Sequence, residues 1–179
     1  LYKVKKSEYQ IISVDHSLIE DYEKKGWETF GKPLKTKTKL RKRKAHSKQF
    51  EDDIWCQFYN LGYRQLNFDE NFILPFSKNS EDTKQIDVIA VNDETIFLIE
   101  CKSSEKSAPA RLLKDEFELL GIRLDGFKKA LWQIFGKEKK IKYVFATRNL
   151  RIPTNSIHLE RLEKTNSFYY NNNTYDYVN

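Results

Sequence analysis

Residues 85–102 constrain this chain more tightly than any other stretch. Gln85-Ile86-Asp87-Val88-Ile89-Ala90-Val91 is followed by Asn92-Asp93-Glu94-Thr95, and then by Ile96-Phe97-Leu98-Ile99-Glu100-Cys101-Lys102. Two apolar, β-branched segments around a short polar link predict a β-hairpin. With Asp93 and Glu94 at its tip, Val91 pairs with Ile96, Ile89 with Leu98 and Asp87 with Glu100. Directly opposed residues in such a ladder lie roughly 5 Å apart and project from one face. A period of two adds Lys102 and Gln85 to that face. Two carboxylates and an ammonium group are therefore expected to converge where the strands end.

The flanking segments supply material for a sheet and its helices. Residues 9–14 predict a short strand, and Asp15 or Ser17 can cap a helix through Leu18, Ile19 and Tyr22 that stops at Gly26. From Lys35 to Lys48 there are eight basic residues and no acidic one, which predicts an exposed arm or the solvated front of the next helix. Ser47 to Leu61 predicts a helix capped by Ser47 and ended by Gly62. Phe50, Ile54, Trp55, Phe58 and Leu61 form its apolar stripe, and Glu51 lies beside them. Residues 63–68 and 72–76 predict two short strands, with 77–84 a polar, mobile link. Ser103 to Pro109 predicts a loop. Apolar residues at 113, 117, 120, 124, 127, 131 and 134 predict a long helix or two nearly continuous ones, despite Gly121 and Gly126. Ile141 to Thr147 predicts a strand. The segment 156–164 is open between helix and strand, and the Tyr- and Asn-rich end has no period. Strand, hairpin, crossover helix and parallel strand together predict an α/β fold with a mixed central sheet flanked by helices.

Composition narrows the setting. One domain is the first expectation for 179 residues, and a net charge of +6 favours an anionic partner. Two cysteines, Cys56 and Cys101, stand in otherwise apolar contexts and predict buried free thiols in a reducing, cytoplasmic compartment. No stretch reaches the length of a membrane span. The expected division is an N-terminal strand–helix extension at 1–34, a core with its basic lead-in at 35–165, and a terminal segment at 166–179 that links to a further domain.

An oxygen-only ligand set suits Mg²⁺ or Mn²⁺. Asp87 and Glu100 are the expected side-chain ligands, with the Cys101 backbone carbonyl as a third. A water on such an ion can attack phosphorus, since the metal lowers its pKa and offsets charge on the phosphate. Lys102 can stabilise the developing charge or help deprotonate the nucleophile, and spacing alone does not choose. Glu51 can enter as an extra ligand or as a base that positions the water. Gln85 can hold a phosphate oxygen or a ligand water. The basic run of Lys35, Lys37, Lys39, Arg41, Lys42, Arg43, Lys44 and Lys48, extended by Arg148, is suited to a phosphate backbone, which it would position without reading sequence. No metal-ligand spacing involves the histidines, and no Gly-rich phosphate loop or Ser/His/Asp arrangement is visible.

Asp87, Glu100-Cys101-Lys102 and the hairpin between them resemble the PD-(D/E)XK nucleases, the restriction-endonuclease-like superfamily. The likeness is closest to the branch of Mrr-type restriction enzymes and archaeal-type Holliday-junction resolvases. In that branch a glutamate of the first core helix often joins the site, as Glu51 in Phe-Glu-Asp-Asp-Ile-Trp would. Ile86 stands where the family's name puts proline. The resemblance spans roughly residues 47–147. It implies a restriction-endonuclease-like core with a mixed four-stranded sheet, and Mg²⁺- or Mn²⁺-dependent hydrolysis of DNA, in a restriction or anti-phage enzyme. It also leaves two other readings: a nuclease-fold DNA-binding module that relies on another domain or subunit, or a homodimeric junction resolvase.

Overall fold

The computed structural model describes residues 1–69, 71–79, 81–109, 114–151 and 167–171. Leu113 and the segment 156–164 lie outside these residues, as does the side chain of Phe117. The chain is mixed α/β, with a mixed sheet flanked by helices.

The central sheet has five strands. β4 (Gln65–Leu66), β7 (Val88–Val91), β8 (Thr95–Pro109), β9 (Lys140–Arg151) and β10 (Ser167–Asn171) lie in the order β10-β9-β8-β7-β4. The hairpin β7–β8 pairs Val91 with Ile96 and Ile89 with Leu98, the expected register. Its tip is set by Asn92, whose Oδ1 accepts the N–H groups of Glu94 at 3.0 Å and Thr95 at 2.7 Å. This short polar side chain closes the turn on its own backbone, as Asn does where φ/ψ must reverse quickly.

Alternation along the hairpin divides the core. Ile89, Val91, Ile96 and Leu98 face α4 (Lys114–Phe135) with Phe127 and Leu131, while Val88, Ala90 and Ile99 face α3 (His46–Asn60) with Phe50, Ile54 and Trp55. A strand covered on both faces carries apolar residues at every position, which accounts for the unbroken runs in the sequence. α4 is one continuous helix through Gly121 and Gly126, and it carries the chain from β8 to the parallel strand β9.

Several expectations fail for identifiable reasons. Ser103 to Pro109 is strand, because β8 continues beside β9 after a register shift between Ser103 and Ala108. Ser47 is not the cap of α3; the helix starts at His46, with Ala45 in the cap position and no side-chain cap bond. The Tyr/Asn-rich end is not solely linker, since Ser167–Asn171 adds in parallel to β9 as an edge strand. The link 77–84 holds structure too: Ser77 Oγ meets Asp82 Oδ2 at 2.6 Å, and β5 (Ile73–Pro75) pairs with β6 (Thr83–Gln85) as a separate ribbon.

The basic run is neither arm nor helix front. β3 (Lys37–Arg43) is the middle strand of a second sheet, between β1 (Tyr9–Asp15) and β2 (Glu28–Thr29). Thr38 and Leu40 point inward and are buried, so the strand alternates like any half-covered sheet. This pairing crosses the division expected at residue 34, placing β3 with the first thirty residues. Between β1 and β2 lie a 3₁₀ turn at His16–Leu18 and α2 (Ile19–Glu23), which replace the longer helix expected there.

The N-terminal unit is tied to α3 through one buried carboxylate. Asp52, 2% exposed, takes Lys5 at 3.0 Å and Lys44 at 2.7 Å, with Lys48 at 3.7 Å. Lys44 also donates to the carbonyls of Val4 and Lys5, so α1 (Tyr2–Lys6) is pinned against α3. Tyr2 over Tyr59 at 4.9 Å adds an aromatic contact. Cys56 is buried, Cys101 partly so, and both are free thiols.

Candidate active site

Asp87 stands one residue before β7, at a bend where the chain leaves the ribbon strand β6 and enters the central sheet. Its position is fixed from behind by Asn67. That buried side chain donates to the Asp87 carbonyl at 3.0 Å and accepts the Ile89 N–H at 3.1 Å, while Trp55 Nε1 holds the Asn67 carbonyl at 2.8 Å. The Asp87 carboxylate then reaches across to β8 and accepts the Cys101 N–H at 2.7 Å. In an extended strand the N–H and C=O of one residue turn to the same lateral side. The Cys101 carbonyl is thereby directed to the side where Asp87 sits.

Glu100 is 3% exposed, although it is charged. Burial at this level requires partners. Its Oε1 receives Lys84 Nζ at 3.0 Å and Lys102 Nζ at 3.0 Å. Lys102 is shared with Glu116, 3.3 Å away in the first turn of α4. Glu100 Oε2, in contrast, is buried with no hydrogen-bond partner.

The electrostatics report the crowding of negative charge. Burial, and then the charge of Glu100, push the Asp87 carboxyl up from 3.8 to about 7; Glu51 adds to the rise, while the Cys101 N–H and Lys102 oppose it. The Cys101 thiol is held well above its usual range by burial, followed by Asp87, Glu51 and Glu100. It is therefore no nucleophile at neutral pH. Burial pulls the Lys102 ammonium down, but Glu100 and then Glu116 outweigh it, and the group sits above its ordinary value.

The sequence-predicted residues now sort themselves. Asp87, Glu100, Lys102 and the Cys101 backbone come together, and Glu51 is near enough for its charge to act on Asp87. Glu51 is itself paired with Lys48 at 3.1 Å. Gln85 is not part of the cluster: it is exposed on β6, opposite Ile73. The period of two breaks at the Asp87 bend, so counting back from Asp87 picks the wrong neighbour. Lys84 takes the inward position instead. Lys84 and Glu116 were missed, the first by that one-residue slip and the second because no local spacing links α4 to the hairpin.

The cationic residues are unevenly available. Lys35, Lys37, Lys39 and Arg43 are exposed, the last three alternating along β3, and Arg43 has only a long, exposed contact with Glu8 at 3.7 Å. Arg41 shares their face but is held by Glu28 at 2.8 Å and lies over the Tyr9 and Phe30 rings. Lys42 bonds the Lys25 carbonyl. Lys44 is withdrawn from any surface role, with its side chain 3% exposed against Asp52. Lys48 is engaged with Glu51, and Arg148 with Asp53 at 2.8 Å beneath the Phe50 ring.

Whether these residues fit a divalent ion is decided by the donors. The buried, unpartnered Glu100 Oε2, the Asp87 carboxylate and the Cys101 carbonyl are all oxygens, the set that Mg²⁺ and Mn²⁺ take alongside waters. An ion there would also offset the repulsion that raises Asp87. The residues fit. Among the described residues, no three His, Cys, Asp or Glu side chains form a ready-made cage, so backbone and water would complete the shell. Comparison with family models and with curated proteins finds no match to this chain.

Proposed function

We propose that this chain is a metal-dependent endodeoxyribonuclease of the restriction-endonuclease-like type, hydrolysing DNA phosphodiester bonds. The observation that carries the reading is the juxtaposition of Asp87 and Glu100 at one hairpin end, with Lys102 on Glu100. Asp87, Glu100 and the Cys101 carbonyl would hold Mg²⁺ or Mn²⁺, which when bound supplies an activated water and charge relief at the phosphate.

The chain's own residues do the rest. Lys102 stays protonated, because Glu100 and Glu116 favour its charged form. It therefore serves as an electrostatic stabiliser of charge developing on the phosphate, and not as the base. Glu51, on the helix side of the site, is suited to orient the attacking water or take its proton. Asn67 keeps the Asp87 backbone in register so that its carboxylate stays beside Cys101. Lys37, Lys39 and Arg43 on β3, with Lys35 just ahead of it, would supply an exposed basic row suited to a phosphate backbone.

The test is supercoiled plasmid incubated with Mg²⁺ or Mn²⁺. The native chain is expected to nick or linearise it, with Asp87→Ala and Lys102→Ala each slower by on the order of 10² or more. Equal cutting by all three would remove the assigned site. Binding without cutting, across metals and DNA forms, would leave a DNA-binding module instead.

A further inference from the structure

Glu100 Oε1 carries two ammonium groups at once, Lys84 and Lys102, each at 3.0 Å, while its second oxygen is buried without a partner. We propose that Lys84 is an exchangeable counter-ion of the acidic pair, leaving Glu100 when a divalent cation binds and then holding the substrate phosphate. This rests on the metal-dependent reading above and adds a residue to it.

Charge decides which lysine yields. With a cation bound and the Asp87 proton displaced, Asp87 and Glu100 carry two negative charges, which Lys84 and Lys102 alone would balance. A dication between the carboxylates leaves the cluster over-charged, and charges within about 4 Å repel strongly even when partly screened. Lys102 has a second anchor, Glu116 at 3.3 Å. Lys84 has none: among the described residues Glu100 is its one ion-pair partner.

Position decides where Lys84 goes. It is the middle residue of β6, a three-residue strand in a two-stranded ribbon outside the central sheet, and its neighbours Thr83 and Gln85 are exposed. Its side chain is 20% exposed, so solvent reaches part of it even while the ammonium is on Glu100. Released from Glu100, a lysine on this short ribbon strand is free to swing toward solvent, where it could meet a phosphodiester. A flexible point charge suits that task.

The experiment uses the full chain and reads metal and DNA binding apart from cleavage. Mn²⁺ alone is titrated by calorimetry into the native chain, Lys84→Gln, Lys84→Arg and Asp87→Ala. Lys84→Gln is expected to bind Mn²⁺ several-fold more tightly because its competitor is gone. Lys84→Arg, which keeps the charge, is expected to match the native chain. Duplex DNA binding in Ca²⁺ is then measured against salt, and Lys84→Gln is expected to lose about one unit of slope, the mark of one lost phosphate contact. Mn²⁺ affinity unchanged or weakened in Lys84→Gln, or an unchanged salt slope, overturns the proposal while Asp87→Ala abolishes Mn²⁺ binding. An Asp87→Ala chain that still binds Mn²⁺ as the native does overturns the metal reading itself, and this proposal with it.

Discussion

Asp87 is the residue at which stability and function conflict. Its pKa in the folded chain is raised from 3.8 to about 7 by burial and by Glu100, so the metal-free native state binds a proton that the unfolded chain has released. The contribution is complete below about pH 4 and is lost as pH rises through about 7. Asp87→Asn removes that loss. Relative to the native chain, the metal-free variant should gain stability progressively from pH 4 to 8, by at most about 4 kcal/mol. Urea melts at pH 4, 6 and 8 without divalent ions measure this. A difference that does not grow with pH would mean the carboxylate is not crowded as described. The same substitution should cost activity, the trade that follows from the proposed cation site.

At the scale of elements, the ribbon β5–β6 is the part whose placement the site depends on and the sequence conceals. It lies across α4 at Gly126, where an added Cβ would come 1.9 Å from the Phe76 carbonyl oxygen. Helix propensity alone makes Gly126→Ala favourable by about 1 kcal/mol. The clash is with backbone, which cannot rotate away, so overpacking wins at about 1–3 kcal/mol or more. The expected outcome is a lowered melting temperature with the ribbon displaced, taking Lys84 off Glu100. A melting temperature at or above the native value would show the contact to be loose. Elements with a strong local signal were legible: β7, the first half of β8, α3 and α4 follow from β-branched runs and from periodic apolar stripes. The ribbon was half legible, since Phe72 to Phe76 predicted a strand but Ser77 to Lys84 showed only polar residues. Its order comes from Ser77–Asp82 contact and from packing on α4, neither of which leaves a periodic mark. The same lack of local signal hid β10, whose pairing with β9 spans more than twenty residues. At the site, Asp87, Glu100 and Lys102 were readable because the hairpin register alone brings them together. Lys84 and Glu116 depend on a bend and on a long crossover.

For the whole molecule, Asp52 joins the N-terminal sheet to the helix that carries Glu51. Removing one partner of a buried pair leaves the others uncompensated, commonly at about 3–5 kcal/mol. Asp52→Ala would strand Lys5 and Lys44 without their carboxylate. It should destabilise the chain by that order and expose α1 to protease before the core is cut. Uniform proteolysis at the native rate would contradict the clamp. The surface consequence is that the basic run, read as eight equivalent phosphate contacts, divides by strand alternation and by pairing. Replacing Lys37, Lys39 and Arg43 by Gln should therefore weaken DNA binding and flatten its salt dependence by about three contacts, whereas Arg148→Gln should change that slope little. Fluorescence anisotropy across a salt series distinguishes the two.

All of this turns on one ion between two carboxylates. A crystal of the full chain soaked in Mn²⁺, with anomalous scattering recorded at the manganese edge, tests it most directly. An anomalous peak is expected within coordination distance of both the Asp87 carboxylate and Glu100 Oε2, beside the Cys101 carbonyl, and no such peak in Asp87→Ala. Manganese bound elsewhere, with Asp87 and Glu100 unliganded, would contradict it.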